Sequence, residues 1–520
     1  MRSLLRPVLR SAAAVLLCCV WLVSARAVER SSSYVAALES IKAEELSEYV
    51  GRLADDAMEG REAGTRGGHA AGEYLARQYA AIHLSGAGAD GGYFQPFSPN
   101  FRNILAILRG GDPQLADQVI VVGAHYDHIG YGGRYSLGPS GYIHPGADDN
   151  ASGTSAVLEL AKAMTILSPP PKRSILFAAW DAEEKGLFGS KYWVANPTVP
   201  IEHVMAALNL DMVGRLRDEH LTVMGSRSAY GWRRLMSLQN DDSNLRLEFI
   251  WGIKPNADYF PFFDRGIPVL MVHTGLHDQY HRPTDTAKLV NSEGMTQVTR
   301  LLFGVVYDLA DRPTAVPGFR AAGRHETPET EKAVPGRTAK PADRLGVGWI
   351  EDAAVTGGIR VSMVAAGLPA DRAGLRVDDR IVRFADREIR SDDDFFGAVC
   401  VAESPAVMTV NRPGEEKPLE LSVDLLGTPL RWGIMWRVDD AEPAAVILTH
   451  VVPGSPAARA GLSAGDRIYR VAGRDFADET AFAELAKTLA MPIQLLVERD
   501  GRLRVIMLQL PQAEPARRAA

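Results

Sequence analysis

The 520-residue chain has almost no cysteine. It carries three, and two of them, Cys18 and Cys19, fall within the first 20 residues. If that leader is removed, Cys400 stands alone and no intrachain disulfide can form. A chain in an oxidising compartment without disulfides must rely on its cores or on bound metal. Basic excess is missing as well: the formal net charge is −7. A nucleic-acid partner usually requires a basic face, so that class is disfavoured. Past the N-terminus no stretch is long and apolar enough to span a membrane.

What is present begins with "MRSLLRPVLRSAAAVLLCCVWLVSARA", residues 1–27. Arg2, Arg6 and Arg10 make a positive start, residues 11–25 an apolar middle, and Ala25-Arg26-Ala27 a small-residue cleavage site. The segment reads as a secretory signal rather than an anchor, which implies an exported, periplasmic or extracellular protein. Its four arginines leave with it, taking the charge from −7 to −11. The length is too great for one core, so several domains are expected.

Residues 41–312 alternate helical stretches such as "GHAAGEYLARQYAAI" with short apolar runs. "QVIVVGA", "SILFAAW", "HVMAALNLDMV" and "IPVLMVHTG" read as buried strands. That alternation predicts an α/β domain whose mixed, largely parallel sheet is flanked by helices. Residues 313–343 are rich in Pro, Gly and charge and read as a mobile linker. Beyond it the chain repeats at an offset of 87 residues. "RLGVGWI" at 344 returns as "RWGIMWR" at 431, and "PADRAGLRVDDRIVRF" at 369 as "PAARAGLSAGDRIYRV" at 456. Two small β-rich domains are expected, over 344–425 and 427–511.

Chemistry-bearing residues gather at predicted strand ends. "VVGAHYDHIG" offers His125 and Asp127, "HPGADDNASG" Asp148 and Asp149, and "WDAEEKGLFGS" Glu183 and Glu184. "LNLDMVG" adds Asp211, and "HDQYHRPTDT" adds His277, His281 and Asp285. Taken singly each has a plainer reading; Asn150 or Ser152, for instance, could simply cap the following helix. In open α/β sheets, however, ligands bind at the carboxyl ends of strands, so these groups should converge. Imidazole and carboxylate without thiolate suit zinc or a similar ion. Two histidines and three carboxylates exceed one open zinc and fit two ions sharing a carboxylate. Neighbouring residues on an extended chain face opposite ways, so Glu183 and Glu184 should divide two roles.

These stretches, with "MEGREAGTRGGHAAGEYLA", resemble the co-catalytic zinc aminopeptidases, a group that includes bacterial leucyl aminopeptidases, aminopeptidase Y and, more distantly, glutamate carboxypeptidase. The resemblance covers roughly residues 45–310. It implies two zinc ions, with His125 and Asp211 on one, Glu184 and His281 on the other, and Asp149 bridging. It implies Asp127 as the carboxylate orienting His125, Glu183 as general base, Asp285 as support, and Asp148 and His277 as non-ligands. Each repeat resembles a PDZ domain, whose carboxylate-binding loops would be Leu345-Gly346-Val347 and Trp432-Gly433-Ile434. Such loops capture a peptide C-terminus while the peptide adds as a strand. The expectation is therefore removal of N-terminal residues from peptides or proteins, with PDZ modules docking peptides or partners. The alternatives are an inactive peptide-binding scaffold and a carboxypeptidase or glutaminyl cyclase-like activity.

Overall fold

The computed structural model describes residues 31–312, 316–327, 329–330, 342–350 and 357–509. The expected signal, much of the expected linker and the residues after 509 lie outside this range.

The large domain is built on a nine-stranded sheet. Its strands are β1 (Ser85–Gly86), β2 (Phe94–Phe97), β3 (Phe101–Leu108), β4 (Val119–His125), β5 (Ser174–Trp180), β6 (Val204–Leu210), β7 (His220–Met224), β8 (Arg246–Phe249) and β9 (Val269–His273). They run in the order β1-β3-β5-β4-β6-β9-β7-β8, with β2 hydrogen-bonded to β3. The centre, β5-β4-β6-β9, is parallel, while β3 and β7 join it antiparallel.

The apolar runs of β4 and β5 are continuous because both faces are covered. Ile120, Val122, Ile175 and Phe177 enter one core, with helices Gly153–Thr165 and Ser292–Asp311. Val119, Val121, Leu176 and Ala178 alternate into the other, with Trp193 and Phe262 from helices Phe188–Ala195 and Tyr259–Arg265. A two-residue period thus feeds two cores at once.

Two smaller domains follow, each a six-stranded antiparallel sheet. The first holds β10 (Val347–Ile350), β11 (Ile359–Val364), β12 (Arg380–Phe384), β13 (Arg387–Glu388), β14 (Ala406–Asn411) and β15 (Leu419–Val423). The second holds β16 (Ile434–Val438), β17 (Val446–Val451), β18 (Arg467–Val471), β19 (Arg474–Asp475), β20 (Ile493–Arg499) and β21 (Arg502–Leu508). Strand order is the same in both, and β10 and β16 end their sheets. Each module carries one longer helix, Asp392–Val401 or Glu479–Thr488, whose first turn is capped by Ser391 or Asp478. At matching places Trp349 packs edge-on to Phe395 and Trp436 to Phe482.

The φ-Gly-φ loops take positive φ at Gly346 (77°) and Gly433 (73°), a region glycine enters without steric cost. Leu345, Val347, Trp432 and Ile434 are buried core residues. Their side chains hold the loops from within.

Residues 316–327, inside the stretch expected to be mobile, instead pack on the large domain. Arg320 is 2 % exposed, and its amide donates to the Ser228 carbonyl of the large domain at 2.7 Å. Among the described residues no helix is long and apolar enough to cross a membrane.

Candidate metal centre

Four of the expected residues sit where parallel strands end. His125 closes β4, Asp211 follows β6, and the Glu183–Glu184 pair follows β5. Asp149 comes from the segment entering helix Gly153–Thr165, where Asn150 Oδ1 accepts from the Gly153 amide at 2.9 Å. His281 arrives from the loop after β9, and its Nδ1 lies 2.8 Å from the Tyr135 carbonyl. That bond leaves Nε2 turned toward the acids.

His125, Asp149 and Asp211 bring one donor atom each within 4.8 Å of one another, and so do His128, Asp149 and Glu184. Asp149 belongs to both sets. Its Oδ1 lies 3.4 Å from His125 Nε2, and its Oδ2 3.1 Å from His281 Nε2. His281 Nε2 is also 3.3 Å from Glu184 Oε2, yet it makes no hydrogen bond with proper geometry to either carboxylate. Donors that approach without bonding one another are what ligands facing a common ion look like.

Charge makes the same point. Asp149, Glu184 and Asp211 lie together, their side chains largely enclosed, with the imidazoles of His125, His128 and His281 among them. Burial alone would lower the His281 pKa, but Asp149 and Glu184 raise it to about 11. Burial and Asp149 would raise Glu184, but His128 and His281 lower it to about 2. The carboxylates demand positive charge, because buried anions are tolerated only when paired. Bound divalent metal would supply it, and the oxygen and imidazole donors fit such an ion.

The supporting residues differ in part from expectation. Asp127 orients His125 through its backbone: His125 Nδ1 is 3.2 Å from the Asp127 carbonyl but 3.8 Å from its carboxylate. The Asp127 Oδ1 instead accepts from the Glu183 amide at 3.0 Å. Asp148 turns away to Gly214 N (2.6 Å) and His277 Nε2 (3.1 Å), so neither joins the cluster. Asp285 Oδ2 accepts the Asp148 and Asp149 amides, and its Oδ1 accepts from Arg215 at 2.6 Å. This pins the backbone beneath Asp149.

Glu183 and Glu184 are not on an extended strand. The Glu183 carbonyl accepts the Gly186 and Leu187 amides, both at 2.8 Å, so the pair stands in a tight turn. The turn, not strand alternation, separates them. Both line a cleft of about 200 Å³ with Met224, Asn256, Met271 and Tyr280, and Glu184 also reaches His128. Burial pushes the Glu183 carboxyl well up.

Two participants carried no expected role. His128, three residues after His125, is 1 % exposed, with Nδ1 2.7 Å from Glu184 Oε1. Arg61, in "MEGREAGT", is fully buried and donates to the carbonyls of Leu53, Tyr126, Pro145 and Gly146. Only the second histidine of "HYDH" hinted at the first, and nothing local marked the second.

A buried cluster of oxygen and imidazole donors at parallel strand ends, with a free glutamate beside it, defines a metallohydrolase-like centre. Residues 103–306 match the model of peptidase family M28, and residues 447–499 that of the PDZ domain. The chain therefore carries an M28 peptidase domain and, toward its C-terminus, a PDZ domain preceded by a module of the same strand order. Similar curated proteins include the aminopeptidase YwaD of Bacillus subtilis, 28% identical over 218 residues, 40% of this chain and 44% of that protein. Leucine aminopeptidase 2 of Trichophyton rubrum is 27% identical over 252 residues, 42% of this chain and 46% of that one. The chain thus spans less than half the length of these relatives. Among solved structures, the LapA aminopeptidase of Legionella pneumophila is similar at a TM-score of 0.46 and 20% identity, covering 55% of this chain and 76% of that one.

Proposed function

We propose that the protein is an exported dinuclear zinc aminopeptidase, removing N-terminal residues from peptides, with PDZ modules that dock peptide or protein partners. The observation that carries this reading is Asp149, which offers one oxygen to each of two histidines.

His125, Asp149 and Asp211 would hold one zinc, and Asp149, Glu184 and His281 the other, with His128 bracing Glu184. When bound, the pair polarises the scissile carbonyl and lowers the pKa of the attacking water. Glu183 takes that water's proton and returns it to the leaving amine. The carbonyl of Asp127 orients His125, and its carboxylate holds the Glu183 amide. Met224, Met271 and Tyr280 give the cleft apolar walls suited to a side chain next to the scissile bond.

A peptide-library digest by the zinc-loaded protein, read by mass spectrometry, tests the proposal. Loss of the first residue is expected. Loss of the last residue, release of ammonia from N-terminal Gln, or intact peptides would each sink it.

A further inference from the structure

The two PDZ modules share a fold but not a position. The second is locked onto the peptidase domain by buried ion pairs. Arg227 Nη1 meets both carboxylate oxygens of Asp439, at 2.7 and 2.6 Å, and Nη2 reaches Asp440 at 3.2 Å. Arg233 grips Glu498 with two bonds of 2.9 and 3.0 Å, while its amide donates to Glu442 at 3.1 Å. The turn between β20 and β21 completes the seat. Leu247 N donates to the Asp500 carbonyl at 2.8 Å, and Asn240 Nδ2 to the Gly501 carbonyl at 2.9 Å. A Cβ on Gly501 would fall 2.4 Å from Leu247 Cβ, so only glycine allows this approach.

The repeat keeps only part of this seat in the first module. At the offset of 87 residues, Asp439 and Gly501 correspond to Asp352 and Gly414, but Asp440, Glu442 and Glu498 correspond to Ala353, Val355 and Asn411. The first module thus lacks three of the four acids that dock the second. Buried ion pairs of this kind specify one geometry, because removing either partner strands the other charge.

What they specify leads to the cleft. Arg227 stands three residues after Met224, which lines the cleft from β7. Its guanidinium also lies 3.6 Å above the ring of Trp251, at the start of the loop that carries Asn256 into the same cleft. Asp439 and Asp440 thus hold an arginine that covers the root of a cleft wall. Glu326 grips the same guanidinium from the 316–327 segment, at 2.6 and 2.9 Å.

We propose that the second PDZ module is a fixed part of the peptidase, setting the loop at residues 250–257, which brings Asn256 to the substrate cleft, through Arg227 as a positioning residue. The proposal rests on the hydrolase reading of the cleft, but its structural half can be measured without catalysis.

Hydrogen exchange of the full-length, zinc-loaded chain carries the test, using Arg227→Met and, because that variant removes several contacts, Asp439→Asn in the PDZ module alone. Both should speed amide exchange across residues 250–257 by about tenfold or more. KM for an aminoacyl reporter should rise about tenfold with kcat nearly unchanged and two zinc retained. If exchange in that loop matches the wild type in Asp439→Asn, the proposal is overturned. So is it if kcat and zinc content fall in step with KM, since that is general destabilisation. Faster exchange in a protein whose wild type hydrolyses nothing would sink the aminopeptidase reading and leave the clamp standing.

Discussion

His128 Nδ1 lies 2.7 Å from Glu184 Oε1, in a site where both side chains are almost wholly enclosed. The imidazole fixes which way the carboxylate faces, leaving Glu184 Oε2 toward His281. Loss of a group that orients a metal ligand typically weakens metal binding about 10- to 100-fold. His128→Ala should therefore weaken one zinc by that factor and spare the other, as read by chelator competition. His128→Asn, which can still donate to Glu184, should recover part of the loss.

Glu183 and Glu184 should separate cleanly when altered one at a time. Glu183→Gln removes the proton acceptor and keeps the shape, so activity should fall roughly 10²–10⁴-fold with two zinc equivalents retained. Glu184→Ala should instead lower zinc content. Zinc analysis beside initial rates decides it, and a Glu183→Gln protein that turns over normally would rule out the base assignment.

Arg61 donates to four carbonyls drawn from Leu53, Tyr126 and the Pro145-Gly146 segment just before Asp149. It has no carboxylate partner among those bonds, and burial lowers its pKa to about 10. Removing the side chain orphans buried acceptors at about 1–3 kcal/mol each. Arg61→Ala should destabilise the peptidase domain by about 3 kcal/mol or more. Thermal and urea unfolding of the full chain measure this, and Arg61→Lys should rescue little because one ammonium cannot span four directions.

Glu159 supplies a pH dependence away from the metal centre. It is fully buried, with one oxygen unpartnered and Lys162 Nζ 3.5 Å from the other. Burial raises its pKa from 4.5 to about 7. The folded chain holds this proton over a range where the unfolded chain has released it. Its contribution is therefore full below pH 4.5 and is lost as pH rises through 7. Glu159→Gln should raise the melting temperature at pH 8 and change it little at pH 4.5. Equal shifts at both pH values would contradict the assignment.

The strands were the legible part of the fold. The runs at 119–125, 174–180, 204–210 and 269–273 had to be apolar along most of their length, because each sends alternate side chains into two cores. The convergence of the five expected ligands was legible for a related reason: they lie at or after strand ends or before a helix, and parallel strands deliver their ends to one edge. The glutamate doublet was read through the wrong local geometry, since a turn rather than an extended chain divides it. Asp127 lies beside His125 as expected but meets it through its carbonyl, an atom that every residue possesses.

By itself, then, the sequence determined the alternation of strands and helices, the doubled module and the donor types at the strand ends. These follow from period, turn chemistry and side-chain chemistry, which are local. Tertiary structure alone decided that His128 braces Glu184, that Arg61 gathers four carbonyls, and that one of two like modules closes on the peptidase. Arg227 and Asp439 stand 212 residues apart, and nothing near either names the other. Only folding, by burying both charges at one interface, makes each the partner that the other requires.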